Sequence, residues 1–567
     1  MNTFLNYKKN PIVTCLCLVL FFLLLNGCAS RLLPLETLAP DLGQRMEASH
    51  AMVSTAHPIA SRIGVEIMKK GGNVIDAAVA SSLAVGVLEP EMSGIGGGGS
   101  MVIWLQKERR AVMLDFYPSK RTRTYLNVST KQGPDNLLVV GVPGMVAGLL
   151  YAQEKYGKLS RKEVMQPAIE LATEGFPMYL TLHDMIESSK DKIKKYKGAS
   201  LFLPDNKSFP VGKIFRQPDL ASTLQKIADE GASVFYEGEI ANNIISVLNA
   251  GHNPVTRKDF KGYKVLTDKN PLSGSYKGSI LLTAAPPQSG MEILEGLNLV
   301  EPFDLKKIGL PTQSDSAFNI LASAMRVHNA DNRFINDPRW VEVPVSVLTS
   351  KEYAGNRSKI FFDFPVPEKV SPAEINKSVA VREPEAAQQH TTSLSLVDKD
   401  GNAVALTQTN SSMFGSGAWV DGFFLNDSGF DFSRLEYQSE NSPEYRTRKS
   451  TIAPTIILGA DSTVQMIIGS PGGTYIPAAL VQSIIYMVEY GMDPMAALRM
   501  PRIYAFASSP RVQIEKHIDG DVLQKANRMG YEFVMAKEGA RIYVIKKVNG
   551  KWVGAADPRH EGGVAGY

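Results

Sequence analysis

Residues 388–431, QQHTTSLSLVDKDGNAVALTQTNSSMFGSGAWVDGFFLNDSGFD, hold the reading that decides the fold. Residues 391–397 alternate, with Thr392, Leu394 and Leu396 on one face and Thr391, Ser393, Ser395 and Val397 on the other. Residues 403–409 alternate as well. Between them, Asp398-Lys399-Asp400-Gly401-Asn402 is a hairpin signal. A hairpin symmetric about Asp400 pairs residues whose numbers sum to 800, so Thr391 lies opposite Thr409. Cross-strand neighbours have Cβ atoms ~5 Å apart. Two hydroxyls at the open end of a hairpin admit two readings, a packing pair within a sheet or a functional pair, and this stretch alone leaves both open.

Outward from the hairpin, residues 362–390 carry several prolines and few apolar side chains, and run straight into Thr391. An exposed loop delivered to a strand that starts Thr-Thr has the form of a cleavage site. Downstream, residues 422–425, 452–458 and 464–468 are strand-like. Gly469-Ser470-Pro471-Gly472-Gly473-Thr474 then leads into a helix over 476–490. Upstream, Ile59, Ile63 and Ile67 mark a helix over 58–70 that stops at Gly71-Gly72. An Ala-rich helix spans 75–87, followed by the glycines of 94–99 and a strand from Met101. Helical patterns recur in 141–176, 215–250, 284–300 and 316–333, and a last strand covers 542–546. The 94–99 run fits G-x-G-x-x-G, but it follows a helix and precedes a strand, the reverse of a dinucleotide site. It also lacks the Lys-Ser/Thr ending of a P-loop. Close backbone approach in the core or at a site rim explains it better.

A chain of 567 residues exceeds one ordinary core and predicts two domains or one large layered fold. Apolar content of 44% and charged content of 21% are globular values. A net charge of +4 over this length excludes a nucleic-acid partner as the default reading. The basic run 190–197 reads as a solvated helix face. At the N-terminus, Lys8 and Lys9 precede an apolar run over 12–25, too short for a comfortable membrane span. It ends Leu25-Asn26-Gly27-Cys28, which resembles a bacterial lipobox and implies a lipid on Cys28, with plain signal cleavage as the alternative. Cys15, Cys17 and Cys28 are the only cysteines, so the mature chain has no disulfide framework, no cysteine nucleophile and no thiolate metal site. The expected organisation is a signal and lipobox over 1–28, a tether over 29–45, a large segment over 46–390 and a small catalytic segment over 391–567. An exported, periplasmic or cell-surface location follows.

Common site types are missing. No G-x-S-x-G elbow, no H-E-x-x-H and no calcium loop occurs in the sequence, and neither cofactor nor metal is expected. What remains is an N-terminal nucleophile, a threonine whose own α-amine acts as base once the preceding bond is cut. Thr391 then attacks the His390 carbonyl to free itself. Such a site needs an oxyanion hole. Gly472-Gly473, at a helix start, offers unpaired backbone N–H groups.

The blocks GGNVIDAAVA, GIGGGG, GVPGMVAG, AAPPQSG, TTSLSLVDKDGNAVALT, GSPGG and AADPR…AGY, in this order, resemble the γ-glutamyltranspeptidase family of N-terminal nucleophile hydrolases. The resemblance covers nearly all of the mature chain. It implies a four-layer αββα sandwich of the α/β class, and self-cleavage between His390 and Thr391 into two subunits that stay associated. It implies Thr391 as nucleophile, Thr409 supporting its hydroxyl, and Gly472 and Gly473 as the oxyanion hole. A γ-glutamyl group from a small-molecule donor is then carried on Thr391 as an ester and passed to water, an amino acid or a peptide.

The implied substrate pocket departs from the family. Tyr117 stands where the family has an Arg for the glutamyl α-carboxylate. Ser411 replaces an Asn and Ser428 a Gln; the paired serines are Ser450 and Thr451. The acidic residue for the substrate amine is retained as Asp431. Losing a charge-assisted contact costs ~1.5–3 kcal/mol, roughly ten- to a hundredfold in affinity. Lys120, Arg121 and Arg123 on the same loop are possible replacements. The connection 433–450 is short beside relatives that carry a lid, which implies an open site. Three functions therefore stand as expectations. They are a γ-glutamyl hydrolase/transpeptidase for glutathione-like compounds, a divergent amidase for poly-γ-glutamate or another acyl amide, and a non-catalytic surface lipoprotein.

Overall fold

The structure is a computed structural model that describes residues 43–121, 137–267, 270–375, 390–429, 444–536 and 539–567. The lipobox with Cys28, the approach over 376–389, Arg123 and Asp431 lie outside the described residues. Among those described, two antiparallel sheets dominate. A six-stranded sheet runs Gly563–Gly566, Met52–Thr55, His390–Val397, Ala403–Ser411, Gly98–Leu105, Arg110–Asp115. The hairpin read from sequence supplies its two central strands, which explains why they are buried on both faces. A seven-stranded sheet lies against it and includes Thr455–Leu458, Val464–Gly469 and Tyr543–Val548.

Apolar side chains fill the space between the sheets, among them Val102, Val397, Ala405, Ile456, Ile467 and Trp552. Two serines on this face spend their hydroxyls on backbone acceptors of the facing sheet. The Ser395 hydroxyl donates to the Tyr543 carbonyl at 2.9 Å, and that of Ser54 to the Ala555 carbonyl at 2.9 Å, so both bonds stitch one sheet to the other. Helices Pro58–Lys69 and Val74–Leu88 cover the outer face of the six-stranded sheet. Helices Gly290–Val300, Asp315–Asp331 and Ile476–Val488 cover the other sheet. This is the expected αββα sandwich.

The hairpin turn is fixed by Asp398. Its carboxylate accepts the N–H groups of Asp400 and Asn402 at 3.0 Å each, and that of Val74 at 3.2 Å, at the start of helix Val74–Leu88. Asn73 and Asp76 form a capping box at the same helix start. The turn thereby locks both register and layer spacing.

Three expectations need correction. The strand after the glycine run begins at Gly98 rather than Met101, because the last two glycines already pair with the hairpin. Residues 452–454 are not strand. Lys192 is not merely solvated: its ammonium donates to the carbonyls of Met413 at 3.0 Å and Gly415 at 3.1 Å, holding the loop that follows the hairpin.

Gly469 sets the sheet spacing behind the strand that carries Thr391. A Cβ there would stand 2.1 Å from the Ser393 hydroxyl oxygen, itself engaged with the Leu406 carbonyl and the Thr407 hydroxyl at 3.0 Å each. Gly469→Val should lose about 1–3 kcal/mol by overpacking, seen as a lower Tm; an unchanged Tm would show that the sheets separate freely at this point.

Candidate active site

The register 397↔403 through 392↔408 follows the expected symmetry, and then it breaks. His390 pairs with Ser411, so Thr409 and Asn410 together face Thr391. Thr391 is therefore not the Cα partner of Thr409, contrary to the simple hairpin count. This is a β-bulge, a device that re-aims side chains next to active sites. Ser411, at its end, has φ of 80°, a left-handed conformation rare for a residue with a side chain.

The bulge brings the two hydroxyls together all the same, with Thr391 Oγ1 3.2 Å from Thr409 Oγ1. Thr409 Oγ1 donates to the His390 carbonyl at 2.6 Å and accepts the Ser411 N–H at 2.7 Å. A hydroxyl has one proton and two lone pairs. The carbonyl takes the proton and the N–H takes a lone pair, so the remaining contact must be accepted from Thr391. The Thr391 proton thus points at Thr409, and its own lone pairs are left for a carbonyl carbon. Both side chains are buried, at 3% and 2% exposure, so water does not compete for these bonds.

The glycine run forms the rim of this arrangement. A Cβ on Gly97 would meet the Thr409 carbonyl oxygen at 2.3 Å and Asn410 Oδ1 at 2.5 Å. Gly472 and Gly473 have φ of 137° and 58° and open the short helical turn before Ile476–Val488. Their loop is pinned by the Ser470 hydroxyl on the Arg541 carbonyl at 2.7 Å and by the Arg541 N–H on the Pro471 carbonyl at 3.1 Å. It directly follows the strand whose Gly469 rests on Ser393.

The expected pocket residues divide into groups. Tyr117, Ser411 and Ser428 come together: the Tyr117 hydroxyl is 3.3 Å from Ser411 Oγ, which is 3.3 Å from Ser428 Oγ. Ser450 and Thr451 are buried at the Pro286-Pro287 turn, where the Ser450 N–H donates to the Pro287 carbonyl at 2.9 Å.

Sequence reasoning missed several charged neighbours. Burial, with the charges of Arg541 and Lys192, pushes the His390 imidazole down to about 4, so it is neutral at pH 7. On the helix side, burial raises Glu89 to about 7 against the pull of Arg541, and holds Glu91 well above the carboxylate range. Glu89-Pro90-Glu91 carries no local sign of this, since the desolvation comes from distant segments.

The family model described as Gamma-glutamyltranspeptidase matches residues 60–567. The chain belongs to the γ-glutamyltranspeptidase family. It is 32% identical over 539 residues to a glutathione hydrolase proenzyme of Bacillus subtilis, covering 91% of each chain. It is 33% identical over 429 residues to the capsule biosynthesis protein CapD proenzyme of Bacillus anthracis, covering 76% of this chain and 73% of that one. Among solved structures it resembles a cephalosporin acylase from Bacillus halodurans, with TM-score 0.81 and 26% identity over 95% of this chain and 99% of the other. The fold is thus shared with relatives that carry different names, two of them proenzymes.

The saturated Thr409 hydroxyl generates a sharp expectation. On a denaturing gel, wild type should appear as two fragments and Thr391→Ala as one chain. Thr409→Val should stay uncut and Thr409→Ser should regain cutting. A fully processed Thr409→Val would remove Thr409 from the reaction.

Proposed function

We propose that the chain is a γ-glutamyl hydrolase/transpeptidase that first cuts itself between His390 and Thr391. The observation that carries this reading is the Thr391–Thr409 hydroxyl pair bonded onto the His390 carbonyl. Thr391 Oγ attacks that carbonyl carbon while its proton passes to Thr409 and Thr409's own proton moves to the carbonyl oxygen. The C–N bond then breaks, and the nitrogen leaves with a proton as the Thr391 α-amine. Water hydrolyses the resulting ester and leaves His390 with a carboxylate. An α-amine has a pKa of about 7.7–8.0 in reference peptides, suited to a base near neutral pH. It takes the Thr391 proton as the hydroxyl attacks a donor's γ-carbonyl, and returns it to the departing amine. Gly472 and Gly473 serve the oxyanion, and the acyl group on Thr391 passes to water, an amino acid or a peptide.

A second reading, a divergent amidase for poly-γ-glutamate or another acyl amide, is favoured by one feature. Tyr117 fills the place of the family's carboxylate-binding Arg and is bonded into the Ser411–Ser428 chain. Likeness to CapD and to a cephalosporin acylase supports keeping it. A non-catalytic lipoprotein is disfavoured by an intact hydroxyl pair. Steady-state rates on glutathione and on γ-linked polyglutamate separate the first two. We expect the larger kcat/KM on glutathione, and a preference for polymer reverses the order. Tyr117→Arg should lower KM for glutathione several-fold; an unchanged KM would assign the carboxylate to a cation already present.

We further infer export with a lipid on Cys28, supported by the lipobox-like Leu25-Asn26-Gly27-Cys28. Labelled fatty acid should be incorporated by wild type and not by Cys28→Ala, and an unlabelled wild type would favour plain signal cleavage.

A further inference from the structure

Thr392 follows Thr391 and is fully buried in a strand that packs against helix Val74–Leu88. That helix ends at Glu89, whose N–H closes the last turn on the Val85 carbonyl at 2.7 Å. The Glu89 carbonyl accepts the N–H groups of Met92 and Ser93 at 3.0 and 3.2 Å, which folds residues 89–93 into a closed loop. The loop holds the strand opposite Thr391 through its backbone. The Met92 carbonyl accepts the Asn410 N–H at 3.0 Å, inside the bulge, and the Glu91 carbonyl accepts the Phe414 N–H at 2.8 Å. Gln408, the cross-strand partner of Thr392, donates to the Ser93 hydroxyl at 2.9 Å.

The acids of this loop, Glu89 and Glu91, belong to a buried polar cluster completed by residues near the end of the chain. Glu89 Oε1 lies 3.8 Å from His560 Nδ1, and His560 Nε2 lies 3.6 Å from Glu561 Oε2. Glu561 is bonded to the Thr181 hydroxyl. Among the described residues, one Glu89 oxygen, both Glu91 oxygens, both His560 ring nitrogens and the hydroxyls of Thr392 and Tyr543 are buried with no hydrogen-bond partner. Orphan polar atoms gathered in one place need a reason beyond packing. The Thr392 hydroxyl is near enough to Glu89 to favour its charged form, yet it has not closed a bond on it. Burial keeps Tyr179 and Tyr543 protonated, and burial with the charges of Arg541 and His57 keeps His560 neutral. Burial and the charge of Glu89 hold Glu91 well above the carboxylate range. Two charges then remain to act on Glu89, that of Arg541, which favours its ionisation, and that of Glu561, which opposes it.

We propose that Glu89 is a positioning residue for self-cleavage: as a carboxylate it takes the Thr392 hydroxyl and fixes the backbone beside Thr391, while its loop fixes the bulge opposite. This rests on the cut between His390 and Thr391 proposed above. Glu89 acts through Thr392 and touches no reacting atom. A hydrogen bond to an ionised acceptor is roughly twice as strong as a neutral one. The contact therefore closes when Glu89 ionises and loosens when it is protonated. Burial raises this carboxyl to about 7 against the pull of Thr392 and Arg541. Cutting depends on the ionised form, so it speeds up as pH rises through that value.

The test times self-cleavage in the full chain. Labelled precursor from cell-free translation is moved into buffers from about pH 6 to about pH 8, and the two fragments are followed on a denaturing gel. Wild type should cut about tenfold faster at the upper end than at the lower, the ratio for one group titrating at about 7. Glu89→Gln should cut at the slow rate throughout, with a flat profile, and Glu89→Asp should restore a rising one. Glu561→Gln removes a repelling charge and should move the midpoint to lower pH. Arg541→Met removes an attracting charge and should move it to higher pH. Eventual appearance of both fragments certifies that a variant has folded. Should Glu89→Gln never be cut, the two midpoint shifts decide, because those chains keep Glu89. A wild-type rate that does not change with pH, a Glu89→Gln profile that rises like wild type, or midpoints left unmoved by Glu561→Gln and Arg541→Met overturns the role of Glu89 while self-cleavage stands. A wild type left uncut at every pH overturns self-cleavage as well.

Discussion

The hydrogen-bond valence of one hydroxyl, that of Thr409, is the constraint on which the rest of the site depends. It gives its proton to the His390 carbonyl, takes the Ser411 N–H, and has one position left, which Thr391 fills. No other assignment of protons satisfies three partners of these types. The bulge exists to make this possible. In a regular ladder Thr391 would face Thr409 alone, whereas the bulge sets Thr409 and Asn410 together opposite it.

A reactive pair of this kind needs a rigid support, and its place at the middle of a six-stranded sheet provides one. Both faces of the hairpin are buried. Serines on the inner face are spent on holding the second sheet at a fixed distance, with Gly469 allowing the closest approach. Glycines at 97 and 472 do the same for the rim and for the loop before Ile476–Val488, since a Cβ at either would strike backbone atoms. Beside the hydroxyl pair, Tyr117, Ser411 and Ser428 form a linked chain of hydroxyls.

Much of the catalytic centre was legible in the sequence because its parts are local. The turn at Asp398–Asn402 fixes register, so residues 392 to 397 found their partners by counting. The glycine run makes the close backbone approach expected of it, packing on the hairpin at Thr407 and Thr409. Counting failed at Thr391, because a bulge inserts one residue without any mark in the alternation. Charge patterning missed Lys192, whose ammonium is bonded to the Met413 and Gly415 carbonyls.

The sequence by itself determined the hairpin, the threonine pair, the glycine turn before the last long helix, and the family these blocks belong to. Each is a pattern within a few tens of residues, where periodicity and turn chemistry act directly. Only the tertiary structure decided which charges surround the site. Lys120 lies opposite Arg446 from more than three hundred residues away, and the charge of Arg541 acts on His390 from a distant part of the chain. The physical reason is that the state of a buried charge depends on the water removed by every segment packed around it, and no local pattern records that.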